Sequence, residues 1–105
     1  MQPLEASWFF TIGERIAPDS ITLVAAGRVG SAAAPQLAAA LLAAGQRAPR
    51  VILDVSEVDY ISSAGIRAIE EAVDRLRAEG KTLDACGASG ATRLCLEMAG
   101  ITPIE

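Results

Sequence analysis

The stretch of sequence that decides the fold is residues 54–67, DVSEVDYISSAGIR. The three residues before it, Val51-Ile52-Leu53, begin an apolar run that extends to Val55, and such a run is typical of a strand buried on both faces. Residues 56–59 are mostly polar and predict a short loop. The small and hydroxylated residues that follow are typical of the first turn of a helix. The stretch therefore predicts a buried strand, a loop and a helix in direct succession.

The helix after this loop is predicted to run to Glu79. Its apolar residues recur at helical spacing, with charged residues on the opposite face. Either Ser62 or Ser63 can accept a hydrogen bond from a backbone N–H of the first turn, but only one of them can be the cap. If Ser62 is the cap, Ser63 is the first helical residue and its hydroxyl is free. Ala64 and Gly65 leave the backbone bare, so another protein could approach it closely.

The segments before this stretch predict a hairpin and a helix. Residues 8–16 and 21–26 have the composition of two strands, and the turn between them contains Pro18 and Asp19. Residues 27–31 predict a glycine-bearing loop. An alanine-rich helix is expected over residues 32–44, with Pro35 in its first turn and Gly45 as its stop.

The segments after it predict a strand, a helix and a short edge. Residues 82–86 alternate weakly and predict a strand. Ser89 is expected to cap a last helix that ends near Ala99, with Leu94, Met98 and Cys95 facing inward. Residues 101–104 predict a short edge segment.

The predicted order is therefore β-β-α-β-α-β-α, in one α/β domain over residues 1–105. Alternating strands and helices imply parallel strands with right-handed crossovers, so we expect a mixed sheet with an antiparallel N-terminal hairpin and helices mainly on one face. The predicted core includes seven side chains: Leu37, Leu41, Leu53, Ile66, Ile69, Val73 and Leu76.

Composition excludes several functions. The 105 residues carry a net charge of −4 and only 4% aromatics, which argues against binding nucleic acid or an anionic membrane. The chain has no histidine, which removes His-based catalysis and His-ligated metal sites. Cys86 and Cys95 lack metal-ligand spacing and are interpreted as reduced core residues. We therefore predict a cytoplasmic protein that is not an enzyme and has no cofactor or metal site.

The opening stretch also fits a longer pattern, Asp-x-Ser-x-x-x-(Tyr/Phe)-(Ile/Met)-x-Ser-(Ala/Ser)-Gly-(Leu/Ile), which starts at Asp54. This pattern resembles the core of STAS domains, the family that includes bacterial anti-sigma factor antagonists. Gly27-Arg28-Val29 before the alanine-rich helix is a weaker match, as are residues 86–87 with residues 94–101. The resemblance covers nearly the whole chain and implies the same element order.

The resemblance implies a phosphorylation switch. The phosphorylated serine of the family matches Ser63, with Ser62 as the second choice. The implied partner is a histidine-kinase-like ATPase that is both anti-sigma factor and serine kinase, and it would bind this chain as a monomer. The implied partner-binding residues are Gly30, Ser31, Ser62, Ala64, Gly65 and Arg67. Many antagonists have an acid where this chain has Ser62, and commonly an aspartate where it has Gly30.

Two other functions remain open at this point. The chain could be a non-phosphorylated STAS subunit of a transport assembly, such as a lipid ABC system, or a sensory scaffold that uses the same surface. A hydrolase nucleophile at Ser63 is disfavoured, because position 61 is isoleucine where the nucleophile elbow needs glycine. Asp54 and Asp59 are interpreted as caps of backbone N–H groups and not as a catalytic pair.

Overall fold

The chain alternates strands and helices as its sequence predicts. The computed structural model describes residues 10–101, 103 and 104, so Trp8 and Phe9 of the predicted first strand lie outside the described residues. The elements in chain order are β1 (Phe10–Ile16), β2 (Ser20–Val29), α1 (Ala34–Arg47), β3 (Arg50–Ile61), α2 (Ser63–Ala78), β4 (Thr82–Cys86), α3 (Gly90–Met98) and β5 (Pro103–Ile104).

The strands form one mixed sheet in the order β1-β2-β3-β4-β5. β1 and β2 are antiparallel, whereas β2, β3, β4 and β5 run parallel to one another. Each parallel strand is added on the same side of the last one. Because such crossovers are right-handed, the connecting helices cover one face of the sheet. This confirms the predicted fold class.

The core lies between this face and the helices. Along β2, buried Ile21, Leu23 and Ala25 alternate with half-buried residues, which is the period of two that a sheet covered on one face requires. β3 follows the same pattern, so it is not equally buried on both faces as its apolar run suggested. Six of the seven predicted core side chains are buried, and Ile66 is partly buried at the edge of the core.

Two predicted loops are strand instead. β2 continues through Gly27 to Val29, and β3 continues through residues 56–59, because these two segments pair with each other. Shifts of register between Val24 and Ala26 and between Gly27 and Arg28 absorb the extra residues. Glu57 and Val58 pair with Ala26 and Gly27, while the polar side chains of the segment are exposed. Pairing of this kind cannot be read from polarity.

Gly45 does not end α1 as predicted. The helix continues to Arg47, and Gly45 is buried inside it against α2. A Cβ at this position would overlap Leu76 Cδ2, so the glycine allows the two helices to approach closely. Its carbonyl accepts a hydrogen bond from Lys81 Nζ. Pro35 lies in the first turn as predicted.

The predicted inward face of α3 is wrong. Leu94 and Met98 are 62% and 68% exposed, whereas Leu96 is fully buried and Cys95 is half-buried. Leu96 is two residues from each of the other two, and two residues correspond to about 200° around a helix. Leu94 and Leu96 therefore cannot face the sheet at the same time, and in the structure Leu96 faces it.

Candidate functional site

The carboxyl ends of β2 and β3 bring the predicted site residues to one edge of the sheet. Val29 and Ile61 are paired at the ends of these strands, and the N–H of Ser62 donates to the Val29 carbonyl at 2.9 Å. The loop after β2 begins with Gly30 and Ser31, and the turn after β3 begins with Ser62. Two segments far apart in sequence are therefore adjacent in space.

Ser62 is the cap of α2. It has extended backbone geometry, with φ −82° and ψ 173°, and its Oγ accepts a hydrogen bond from the N–H of Gly65 at 3.1 Å. Its carbonyl accepts the N–H of Ile66 at 2.9 Å. Ser63 is therefore the first residue of the helix, and it is exposed. The choice that the sequence left open is settled, since Ser63 is not the cap.

Gly65 is buried beneath this turn. A Cβ there would lie 2.8 Å from the Val29 carbonyl oxygen and 2.9 Å from Ile61 Cγ2, so a larger residue would push α2 away from the sheet. The sequence suggested that its bare backbone favours approach by another protein. The structure gives it a packing role inside the domain, and Ala64 beside it is partly exposed.

Gly30 and Ser31 occupy the start of the neighbouring loop. The Gly30 carbonyl accepts hydrogen bonds from the N–H groups of Ala33 at 3.2 Å and Ala34 at 2.9 Å, which closes the turn that leads into α1. Ser31 is exposed and Gly30 is half-buried. This loop therefore flanks the start of α2 with a fixed backbone and little side-chain bulk.

Two surface grooves flank the first turns of α2. The larger, of about 530 Å³, lies between α1 and α2 and is lined mainly by alanine and Pro35, with Glu71 at its rim. The smaller, of about 170 Å³, is lined by Ser63, Ile66, Arg67, Glu70 and Met98. Arg67 lines both grooves. The residue one helical turn after Ser63 thus lies between the two grooves.

Arg67 has no ion-pair partner among residues 10–101. The ion pairs in that part of the chain involve other arginines, for example Arg93 with Glu97 on α3 at 3.6 Å. Arg67 is exposed and four residues from Ser63, which is the spacing at which helix side chains meet. Its guanidinium is therefore available to an anionic group placed on or near Ser63.

α3 is joined to the same region, which the sequence did not predict. Cys95 Sγ lies 3.9 Å from the carbonyl oxygen of Ile61, the residue directly before the cap. Met98 lines the groove that contains Ser63. The signal that could have revealed this was present, because Leu96 and Ala99 also form an inward face at helical spacing.

A polar cluster on the helix-free face of the sheet supports the middle of β3. Asp54 accepts hydrogen bonds from the N–H of Ser56 at 2.9 Å, from Ser56 Oγ at 2.8 Å and from Arg15 at 3.3 Å. Burial alone would raise the pKa of Asp54, but these hydrogen bonds outweigh it and hold the pKa below its usual value. The capping role predicted for Asp54 is confirmed.

Cys86 is paired with Asp54 in the sheet. Burial, and then the negative charge of Asp54, raise the pKa of its thiol. Cys86 and Cys95 are both free, half-buried thiols. A thiol with a raised pKa is protonated at neutral pH and is a poor nucleophile.

None of the helices within residues 10–101 is long and apolar enough to cross a membrane.

The chain is a STAS domain by fold and by sequence. Residues 12–104 match a family model described as "Mlab, STAS domain", and the chain therefore belongs to this family. A comparison with curated proteins gave no match.

Solved structures with the same fold include several anti-sigma factor antagonists. The antagonist SpoIIAA in its unphosphorylated form is 15% identical, with a TM-score of 0.70 over 89% of this chain and 82% of that chain. SpoIIAA of Bacillus in its phosphorylated form is also 15% identical, with a TM-score of 0.68 over 88% of this chain and 84% of that chain. An antagonist from Mycobacterium paratuberculosis is 20% identical, with a TM-score of 0.75 over 92% of this chain and 83% of that chain. At identities of 15–20%, these TM-scores show a shared fold.

Proposed function

We propose that this chain is a regulatory protein-binding module of the anti-sigma factor antagonist type, switched by phosphorylation of Ser63. One observation carries the proposal: Ser62 makes the capping hydrogen bond, which leaves Ser63 exposed as the first residue of α2. A serine in this position can be modified without breaking the cap. The two forms of SpoIIAA, unphosphorylated and phosphorylated, have the same fold as this chain.

The partner in this proposal is a histidine-kinase-like ATPase that acts as anti-sigma factor and serine kinase. It would transfer the γ-phosphoryl group of ATP to Ser63 Oγ, which loses its proton, and ADP would leave. The chemistry belongs to the kinase, so the chain itself is a substrate and not an enzyme. We infer that residues 1–105 act as one domain and as a monomer in the cytoplasm.

The switch works through charge. Phosphorylation adds about −1.5 to −2 charges at Ser63 and three acceptor oxygens. The first N–H groups of a helix and its dipole favour a negative group there, so the modified domain should stay folded. Arg67, four residues on, can pair with the phosphate. The same charge must be desolvated when a partner docks, and a loss of about 3 kcal/mol would weaken binding roughly 100-fold.

The rest of the predicted partner surface surrounds Ser63. Gly30 and Ser31 lie on the neighbouring loop, Ala64 and Arg67 on the first turns of α2, and Ser62 and Gly65 fix that turn from below. Serine and aspartate are both good caps, so the cap is kept although many antagonists have an acid at the position of Ser62.

The test is site mapping by mass spectrometry. The purified chain is incubated with ATP and each purified histidine-kinase-like ATPase from its own genome, beginning with any encoded beside it. Phosphate should appear on Ser63 and be lost in Ser63→Ala, while Ser62→Ala stays a substrate. Phosphate on Ser62 would move the site by one residue. No phosphate from any ATPase that is active on another substrate would overturn the switch.

A second candidate function rests on the matching family model, whose description names Mlab and not an antagonist. The chain would then be a non-phosphorylated STAS subunit of a transport assembly, such as a lipid ABC system. It would use the same surface at the carboxyl ends of β2 and β3 for a constitutive contact. Stable co-purification with an ABC-type ATPase, together with no phosphate on Ser63, would favour this function.

A further inference from the structure

The outer face of α3 carries two large exposed apolar side chains beside the candidate site. Leu94 and Met98 are 62% and 68% exposed and lie four residues apart, hence on one face of the helix. Met98 lines the same groove as Ser63. The packing of Cys95 against the end of β3 ties α3 to the turn that holds Ser63. Neighbouring exposed apolar side chains of this kind mark interaction sites.

An interface of ordinary size centred on Ser63 would extend to the outer face of α3. A specific interface buries about 800 Å² on each side, which corresponds to a patch roughly 30 Å across. The domain measures 39 × 28 × 22 Å. A footprint of this size centred on Ser63 therefore extends over α2 and onto α3. Because Met98 lines the same groove as Ser63, a footprint centred on Ser63 includes Met98.

The chemistry of the footprint also requires an apolar centre. Interfaces have an apolar core and a polar rim. Around Ser63, α2 presents the polar Arg67 and Glu70, and Ile66 is only partly exposed. The groove between α1 and α2 is apolar but shallow in side chains, since Pro35 and alanines line it and none of them is long enough to act as an anchor. Among the described residues, five large apolar side chains are exposed, and of these Leu94 and Met98 are the two on α3, beside the groove that contains Ser63.

We propose that Leu94 and Met98, here called the α3 surface, are the apolar anchor for the kinase-type partner that phosphorylates Ser63. This inference rests on the proposed function. The partner seats an apolar patch on the α3 surface, and this contact holds its ATP site over Ser63. The ion pair of Arg93 and Glu97 lies beside the patch on the same helix and belongs to the polar rim.

The test uses the ATPase that phosphorylates the wild-type chain and measures initial rates against chain concentration. Leu94→Gln and Met98→Gln should each raise KM about tenfold, because an apolar anchor is lost. The kcat should stay within about twofold, because Ser63 and the first turn of α2 are untouched. Circular dichroism and thermal melting establish that each variant is folded. Should Gln unfold either variant, Leu94→Ala or Met98→Ala replaces it.

Ile16→Gln is the matched control. Ile16 is 68% exposed, as Met98 is, but it pairs with Ile21 at the opposite end of the sheet from Ser63. Its KM should stay within about twofold of wild type.

The outcomes separate the two proposals. An unchanged KM in both α3 variants, with phosphate still on Ser63, would overturn the α3 surface and leave the switch intact. An equal rise of KM in Ile16→Gln would overturn it as well, since the effect would not be local. No phosphate on wild-type Ser63 from any of the ATPases would overturn both.

Discussion

The junctions that lead into α2 and α3 look alike in sequence, but only the junction before α2 is tightly fixed. The first junction leads from β3 through Ser62 into α2, and the second leads from β4 through Ser89 into α3. Both serines have extended backbone at the N-cap. Ser62 Oγ accepts the N–H of Gly65 at 3.1 Å, whereas the Ser89 side chain makes no capping hydrogen bond.

The difference comes from the neighbouring strand. At the first junction β2 runs alongside to its end, so Val29 accepts the N–H of Ser62 and packs against Gly65. At the second, β4 ends at Cys86 and Gly87 packs against Ser56 of β3, but a Cβ on Gly90, the residue directly after the cap serine, would meet open space. A cap serine therefore makes its capping hydrogen bond here only where tertiary packing also holds the turn. The same packing fixes the position of the exposed Ser63 hydroxyl.

The largest expected effect on stability comes from replacing the glycine at each junction, Gly65 or Gly90, by alanine. Gly65→Ala must displace a backbone carbonyl and two buried side chains, and we expect a loss of about 2–3 kcal/mol in the free energy of unfolding. Gly90→Ala has space but a φ of +55°, so only backbone strain of about 1 kcal/mol is expected. Urea unfolding measures both. If Gly65→Ala cost no more than Gly90→Ala, the first junction would not be the tighter one.

The next largest effect is expected in β3, the strand that leads into the junction before α2. Asp54 on β3 is paired with Cys86 on β4, and Asp54 accepts two hydrogen bonds from Ser56 of its own strand and one from Arg15 on β1. Asp54→Asn removes the charge that strengthens them, and we expect a loss of about 1–2 kcal/mol at pH 7. Urea unfolding at several pH values checks it.

The pH dependence of this loss has a definite sign. The pKa of Asp54 is lower in the folded chain than in the unfolded one, where it is about 3.9. Its stabilisation is therefore complete above that pH and is lost as the pH falls through the folded pKa. The pKa of Glu14 is also lowered, by its hydrogen bond with Arg47, so the quantity to follow is the difference between wild type and Asp54→Asn. A difference that stayed constant from pH 7 to pH 3 would contradict the prediction.

A smaller effect compares the two caps directly. Ser62→Ala removes the hydrogen bond to Gly65 and should cost about 1 kcal/mol in the free energy of unfolding. Ser89→Ala removes no capping bond and should change it by less than about 0.5 kcal/mol. Thermal or urea unfolding of the two variants checks the ranking. Equal losses would mean that the Ser89 side chain caps α3 in solution.

The sequence could predict the order of the elements, the mixed sheet and the start of α2. Those features depend on local patterns: the apolar run into Val55, the period of Ile69 to Leu76 and the hydroxyls of Ser62 and Ser63. It could not predict that residues 56–59 are strand or that Gly45 is buried, because both depend on a partner segment far along the chain. The prediction of the inward face of α3 was wrong for a related reason. The pair Leu94 and Met98 fits a helical period as well as the pair Leu96 and Ala99, and only packing against the sheet decides between them.

The candidate site divides in the same way. Ser63 and its neighbours could be found because they form one short motif. That Gly30 and Ser31 belong to the same site as Ser63 was predicted only from the resemblance to a family. In the structure the two segments are adjacent because Val29 pairs with Ile61. Met98 was missed as a surface residue because its exposure depends on which face of α3 meets the sheet.

The smallest expected effect is on Ser63 itself. Because Ser62 is the cap, Ser63→Ala removes a solvent-exposed hydroxyl and should change the free energy of unfolding by less than about 0.5 kcal/mol. Ser63→Asp should stabilise by about 0.3–1 kcal/mol, because a negative charge at the first helical residue interacts favourably with the dipole. Ser63→Asn, which has the same shape without the charge, is the control and should match wild type. The gain of the aspartate should shrink as salt is added, since the charge is exposed. A loss above 1 kcal/mol in Ser63→Ala would show that Ser63 and not Ser62 caps α2, and the hydroxyl would then not be free to accept a phosphoryl group without weakening the turn.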